Sequence, residues 1–560
     1  MAAGGGVRAA SLMETPRWAV RLRRANGDIV GTGILLSPDR VLTCAHVVDS
    51  ANGPITAEFV GAAAPDVPSV PARVDEGAYV QEDRDLDGDP GGDLALLELE
   101  RPRPAADAVR LHRLSSRREV RMYGFPRGHN GGIWFRALAV GGCGRDGQVQ
   151  LAPTVPGEVA GPGFSGAGVA DGTTGEVFGM VLNRHRDGHC FMAPAETIVR
   201  HLPQVQAFTV GPTAVDDRLR STGDDVSADL LDEPFAQRLA EWLRDDGRQV
   251  KISVVGPDDR ARAATLRRAV SLADRERPAA AAARSSWGPP ATVPSIGGYD
   301  LAVDAAGLEC AEIAGRIAGR LGLPPCPEGS VSAALRAARS TLDLVVVGVD
   351  EAVDPPDLLD LLEVLRAGGS RLLLVFRTAG VPYLRAREEL VVRPARERRA
   401  RLVERLEEVT GPLARALHQR RAEVLPHGLR SVDAYLVAAH AALADLTRTP
   451  DDPARLPDLA RYERLAERAA AGLSAYAERL DLLRERCDEL GGRLRGYRVL
   501  HQHAAQGVED PAVDALYLRA HALLQTRPCD LREAEAAVAA YTHRVDGTDA
   551  SARDRGGAPR

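Results

Sequence analysis

The hydrophobic period changes twice along this chain, and that division limits the architectures open to it. From Arg17 to about Leu202 the apolar residues fall in short β-type runs (WAVRLR, IVGTGILL, RVLTCAHVV, DLALLEL, EVRMYGF, GEVFGMVL, HCFMAP) separated by Gly, Pro and Asp turns. Many short strands at such spacing read as an all-β barrel or sandwich over residues 1–212. A polar, acidic stretch then predicts a linker at 213–229. Over 230–383 helix and strand patterns alternate, with KISVVG, YDLAVDA, LDLVVVGVD and RLLLVFR as the strands, which implies a parallel sheet covered on both faces. Residues 384–548 show only helical patterns, and 549–560 read as a disordered tail.

A chain of 560 residues is long enough for about three or four cores, in line with this division. The 71 basic residues against 78 acidic ones leave a net charge of −7, which argues against nucleic acid as the general partner. Of those 71, only Lys251 is a lysine, so lysine chemistry must use that residue or do without. The first residues lack the apolar run of a signal peptide, and no run of about 18 uncharged apolar residues offers a membrane span. The seven cysteines are scattered without a CxxC pair, as expected of reduced thiols in the cytoplasm, and predict no zinc site or other metal or cofactor.

One helical pattern can be counted position by position. Leu459, Tyr462, Ala466, Ala469, Leu473, Tyr476, Leu480, Leu483, Cys487, Leu490, Leu494 and Tyr497 follow alternating steps of three and four, about five heptads. This predicts either a coiled coil between subunits or a long helix of an internal bundle, weakened near its end by Gly491 and Gly492.

Three segments carry the chemistry: TCAHVV with His46, GGDLALLEL with Asp93, and GPGFSGAGV with Ser165. Acyl transfer needs a hydroxyl nucleophile, an imidazole to take and return its proton, and a carboxylate that fixes the imidazole tautomer. The glycines around Ser165 allow a sharp turn in which the backbone N–H groups of Gly163 and Ser165 converge where an oxyanion would sit. The acidic loop Asp83-Arg84-Asp85-Leu86-Asp87-Gly88 looks like the start of a calcium loop, but Leu94 stands where that loop needs Glu, so a solvated turn is expected.

Thr43-Cys44-Ala45-His46, Asp93-Leu94-Ala95-Leu96-Leu97 and Gly163-Phe164-Ser165-Gly166, in that order and separated by 47 and 72 residues, resemble the chymotrypsin-like serine proteases of the trypsin and HtrA branch. The resemblance covers about the first 190 residues and implies a double β-barrel, His46, Asp93 and Ser165 as catalytic residues, Gly163 and Ser165 as oxyanion hole, and a protein substrate. Six residues before the nucleophile, where trypsin has an aspartate in its specificity pocket, stands Val159, which implies an uncharged residue before the scissile bond. Phe164 replaces the aspartate that pairs a new amino terminus in zymogen-activated members, so control is expected from the rest of the chain or a partner.

KISVVG and the following PDDRARAATLRRAV stand where a phosphate loop would. In that register Ala261, Arg262 and Ala263 occupy the positions of its second Gly, Lys and Ser/Thr. With Asp350 and Glu351 ending one strand and Arg377 following the next, residues 230–380 resemble an eroded module of the STAND class of signalling NTPases, as in bacterial conflict systems. That likeness implies a docking module without nucleotide turnover, an intracellular endopeptidase effector acting on a toxin or other protein encoded nearby, and a regulatory protein partner for the α/β or helical region. A homo-oligomer fits the long helix, and neither membrane nor nucleic acid is expected as a partner. The alternative is a STAND-type NTPase that binds nucleotide and has the protease as its output; a third reading, a scaffold whose protease only binds peptides, fits the intact triad poorly.

Overall fold

The computed structural model describes residues 14–556 except 49, 51–52, 63–66, 85–87, 116, 144–145, 156–157, 185–189, 221–230, 245–246, 278–288, 325–330, 339–340, 426–430, 449–458 and 505–509. The chain divides into two compact units, with the boundary after Leu390.

The first unit begins with two closed barrels. Strands β1 (Ala19–Arg24), β2 (Ile29–Ser37), β3 (Arg40–Thr43), β4 (Ile55–Glu58), β5 (Ser69–Val80) and β6 (Leu94–Leu99) form one; β7 (Arg118–Gly124), β8 (Ile133–Gly142), β9 (Val149–Pro153), β10 (Gly168–Asp171), β11 (Val177–Arg184) and β12 (Cys190–Pro194) form the other. Both close with one strand order, β1-β2-β3-β6-β5-β4 and β7-β8-β9-β12-β11-β10, entirely through antiparallel pairs. Closure removes sheet edges, which lets strands this short persist. Alternation sorts the side chains of the first barrel, with Val20, Leu22, Leu35, Val41 and Leu97 on one face and Ile34, Leu42 and Leu96 on the other, all buried; Val120, Met122, Phe135, Ala137, Val149 and Phe178 pack together in the second.

The α/β part of this unit is a four-stranded parallel sheet of β13 (Val250–Val254), β14 (Leu301–Asp304), β15 (Asp343–Val347) and β16 (Arg371–Phe376), in the spatial order β13-β16-β15-β14. Period two again sorts the side chains: Leu344, Val346, Leu372 and Leu374 join one core, Val345, Val347, Leu373 and Val375 the other. Helices Glu233–Leu243 and Arg260–Ala273 cover the second face, Cys310–Leu321 and Pro355–Ala367 the first.

This sheet is bound to the second barrel through charge. Arg320, fully buried, donates through Nη1 to Glu196 Oε1 at 2.5 Å, and its carbonyl accepts from the Ser115 N–H at 2.7 Å. Arg113 pairs with Glu276, and Arg117 Nη2 reaches Asp343 Oδ2 at 3.1 Å. Part of the expected linker belongs here too. Ala214, Val215 and Leu219 are buried in the α/β core, and Val215 bridges Ala302 in parallel, because these apolar side chains gain more from that core than the neighbouring charges lose. Residues 221–230, the rest of the expected linker, lie outside the described residues.

The second unit is helical. Its longest helix, Leu459–Ala504, spans 46 residues and runs unbroken through Gly491 and Gly492. The heptad seam is covered from within the chain. Ala466, Leu473 and Leu480 pack with residues of Arg393–Glu408, Ala414–Arg421 and Val432–Arg448, while Cys487, Leu490 and Leu494 pack with Pro511–Gln525 and Leu531–Gly556. That last helix continues to Gly556, where the sequence predicts a disordered tail from 549; Ala550 and Ala552 favour helix in this stretch, and residues 557–560 lie outside the described residues. Among the described residues, no helix is long and apolar enough to cross a membrane.

Candidate active site

Strand register brings His46 and Asp93 together. Thr43 at the end of β3 pairs with Ala95 near the start of β6, so the turn Ala45–Val48 and the residue before β6 face each other. Ala45, Val47 and Val48 are buried and leave the His46 ring at the surface. Asp93 is buried and lies in the left-handed region, φ 62°, directly after Gly92 at φ 69°. This uncommon backbone for a non-glycine residue aims both carboxylate oxygens at His46. Oδ1 accepts the His46 backbone N–H at 3.0 Å, and Oδ2 meets Nδ1 at 2.8 Å. An ionised carboxylate only accepts, so Nδ1 carries the proton and the lone pair lies on Nε2.

Ser165 sits on a turn that only glycine permits on its two sides. Gly163 and Gly166 have φ of 102° and 84°, and a Cβ there would stand 2.4 Å from Phe125 O and 1.9 Å from Thr32 O. Between them Phe164 is buried in the second barrel, edge-on to Phe135 at 5.8 Å, so apolar packing anchors the turn where zymogen-activated proteases use an ion pair. Ser165 O accepts the Thr32 N–H at 2.8 Å, and Thr32 Oγ1 donates to Gly163 O at 2.8 Å. A Cβ on Gly31 would lie 2.7 Å from Val47 Cγ2 and 3.0 Å from Ser165 O, so the nucleophile turn and the His46 turn meet over this residue. Val181 O closes the junction by accepting from Gly166 N at 2.9 Å and from the Cys44 thiol at 3.3 Å. Among the described residues, neither the Gly163 nor the Ser165 N–H has an acceptor within the chain.

The structure therefore brings the His46, Asp93 and Ser165 segments to one place between the barrels. Burial, and next the Asp93 charge, push the Cys44 thiol well above its ordinary pKa and keep it a protonated donor. Cys44, His46 and Asp93 offer ligand atoms within 4.8 Å of one another, but a cation needs the thiolate, which this environment opposes. Val159 is 41% exposed, beside buried Ala160. Thr32 and Gly31 escaped the sequence reading, since a threonine or glycine on a barrel strand has no local signature of its contact across the cleft. Of the acidic loop, Asp85, Leu86 and Asp87 lie outside the described residues.

On the α/β sheet the turn after β13 is held by carboxylates. Asp259 caps the helix Arg260–Ala273 by accepting the Arg262 N–H at 3.0 Å, Arg262 Nε donates to Asp232 at 2.8 Å, and buried Thr265 donates to Ala261 O. A carboxylate thus occupies the helix end that a phosphate loop offers to its anion. Asp350 accepts from the Arg377 and Thr378 N–H groups at 2.8 and 2.9 Å and from Thr378 Oγ1 at 2.8 Å, and Glu351 pairs with Arg377.

Residues 31–180 match the model of the trypsin-like peptidase domain. No curated protein matches the chain. Among solved structures it is similar to the MamO protease domain from Magnetospirillum magneticum, at 18% identity and a TM-score of 0.25, over 34% of this chain and 98% of that one. It is also similar to a serine endoprotease from Yersinia pestis, at 17% identity and a TM-score of 0.25, over 34% of this chain and 64% of the other. The two six-stranded barrels and the family match identify the N-terminal part of the chain as a trypsin-like peptidase domain, a serine protease fold.

Proposed function

We propose that the chain is a serine endopeptidase using Ser165, His46 and Asp93 as a catalytic triad. The observation that carries this is the pair of hydrogen bonds that Asp93 accepts from His46, the one at Nδ1 fixing the Nδ1–H tautomer, next to a glycine-flanked serine turn. Ser165 Oγ attacks the peptide carbonyl while His46 Nε2 takes its proton, and the Gly163 and Ser165 N–H groups receive the developing oxyanion. His46 then protonates the leaving amine, and water hydrolyses the acyl-enzyme by the same proton path in reverse. The apolar, exposed Val159 beside the nucleophile turn supports an uncharged residue before the scissile bond. Hydrolysis of a mid-chain bond in a peptide library by the wild type, and its loss in Ser165→Ala, tests this; equal cleavage by both refutes it.

The α/β part serves as an eroded STAND-like docking module, a reading supported by the Asp259 cap and by the engagement of Asp350 and Glu351 with Arg377 and Thr378. A regulatory protein that docks on this module or on the helices would switch the peptidase, in the manner of a cytoplasmic defence effector that cleaves a toxin or other protein. Calorimetry with ATP and magnesium separates this from a nucleotide-driven switch: micromolar binding would favour the NTPase reading.

A further inference from the structure

The catalytic carboxylate is held from outside its own barrel. The loop Pro90–Asp93 belongs to the first barrel, yet two bonds from the β8–β9 hairpin of the second barrel restrain it. Asp146 Oδ2 accepts the Gly92 N–H at 3.1 Å, and Gln148 Nε2 donates to Pro90 O at 2.9 Å. The fit is close, for a Cβ on Gly91 would stand 3.1 Å from Asp146 Oδ2. Asp146 is itself in the left-handed region, φ 47°, so two neighbouring non-glycine residues in contact with one loop, Asp93 and Asp146, hold backbones that persist only where their surroundings impose them.

Those surroundings reach into the α/β module. On the helix Ala195–His201, Arg200 pairs with Asp146 Oδ1 at 2.9 Å and His201 Nε2 donates to Oδ2 at 2.5 Å. The same helix carries Glu196, the partner of Arg320 in the module, and Thr197, whose hydroxyl donates to Gly147 O at 3.2 Å. A Cβ on Gly147 would lie 2.9 Å from Ile296 Cγ2 and 3.5 Å from Arg275 Cγ, both of the module, and one on Gly142 would lie 3.1 Å from Arg275 Nη2. One side of the hairpin thus rests on the module and the other on the backbone N–H next to Asp93.

We propose that Asp146–Gln148 is a strap through which the α/β module sets the orientation of Asp93, with Asp146 as the positioning residue. The inference rests on the peptidase reading for its catalytic consequence, but the contact itself does not. Burial alone would push the Asp146 carboxyl up; the His201 bond, the charges of His201 and Arg200, and the Gly92 N–H outweigh it and hold the pKa below the usual carboxylate range. Asp146 is therefore ionised at neutral pH, a strong acceptor for the Gly92 N–H. If the module shifts, Gly147 and the Ala195–His201 helix shift with it, and Gly92 loses its restraint. A peptidase without a zymogen ion pair at Phe164 would then be controlled at its aspartate.

The test uses the full chain with Asp146→Ala, Asp146→Asn and Ile296→Ala. Asp146→Ala should lower kcat about 10²-fold at nearly unchanged KM, the scale of a misplaced catalytic group. The acid limb of its kcat/KM profile should move to lower pH, because imidazolium at His46 loses its carboxylate. Asp146→Asn keeps an oxygen for the Gly92 N–H and should recover most of the rate. Ile296→Ala, outside the peptidase domain, should shift both quantities the same way by less. NMR titration of His46 in each variant reads the same displacement without substrate, and still decides if the wild type neither cleaves nor labels, a result that would sink the peptidase reading alone. If Asp146→Ala does not fold, Ile296→Ala carries the titration, with Asp146→Asn expected to stay near the wild type. A His46 titration identical in the wild type and every folded variant would overturn the strap.

Discussion

Replacing Asp93 with asparagine isolates what the carboxylate does. The side chain keeps its size, so the buried site, only 4% exposed, need not repack. Its two oxygens now accept from the His46 backbone N–H at 3.0 Å and from Nδ1 at 2.8 Å. The backbone N–H cannot become an acceptor, so the asparagine oxygen must take that place and the NH2 must face Nδ1. Nδ1 then has to accept, the proton moves to Nε2, and in the proposed mechanism His46 can no longer take a proton from Ser165. Loss of kcat should be about 10⁴-fold, the scale for a triad held in the wrong tautomer, or about 5.5 kcal/mol of transition-state stabilisation. KM should stay within a few-fold and thermal stability should change little. Steady-state hydrolysis of a chromogenic peptide in Asp93→Asn and wild type measures this. A loss under about tenfold would mean that His46 does not depend on Asp93 for its tautomer, and the reasoning fails.

Gly166→Ala should lower kcat/KM about 10²-fold or more while the fold survives, because its Cβ would meet Thr32 O at 1.9 Å and push the nucleophile turn off its seat. Wild-type kcat/KM with a normal circular dichroism spectrum would contradict this. Arg320→Ala should destabilise the first unit by about 3–5 kcal/mol by leaving Glu196 buried without its partner, read as a lower urea midpoint. Adding Glu196→Gln to it should restore part of that loss. At Asp171 burial pushes the pKa up, but the Thr174 and Thr173 N–H groups and Arg118 hold it below the ordinary value. The stability it contributes is therefore present above the unfolded carboxylate pKa of about 3.9 and is lost as pH falls through the lower folded value. Asp171→Asn should cost about 1–3 kcal/mol at pH 7, and its melting temperature should converge on that of the wild type as pH falls through the lowered folded pKa.

Much of the fold and most of the candidate site were legible because they follow from local pattern. Alternation over WAVRLR or DLALLEL gives strands, and a glycine-rich turn around a serine flags its own geometry. The heptad seam from Leu459 to Tyr497 gave one long helix, but its burial inside the chain depended on partners such as Val538 and Tyr541, which no local repeat reveals. Acidic neighbours hid Ala214, Val215 and Leu219 within a stretch that reads as linker, since their burial requires β14 beside them. Asp146 gave no signal at all. Its role depends on Gly92, 54 positions earlier, and on Arg200 and His201, brought together only by barrel closure and the helix after β12.

The central claim, that Ser165 is the nucleophile, is tested most directly by mass spectrometry of the full chain treated with a fluorophosphonate. One adduct should form on the peptide that contains Ser165, its rate should fall in His46→Ala, and it should be absent in Ser165→Ala. An adduct that persists in Ser165→Ala, or a wild-type chain that cleaves peptides without labelling at Ser165, would contradict the account.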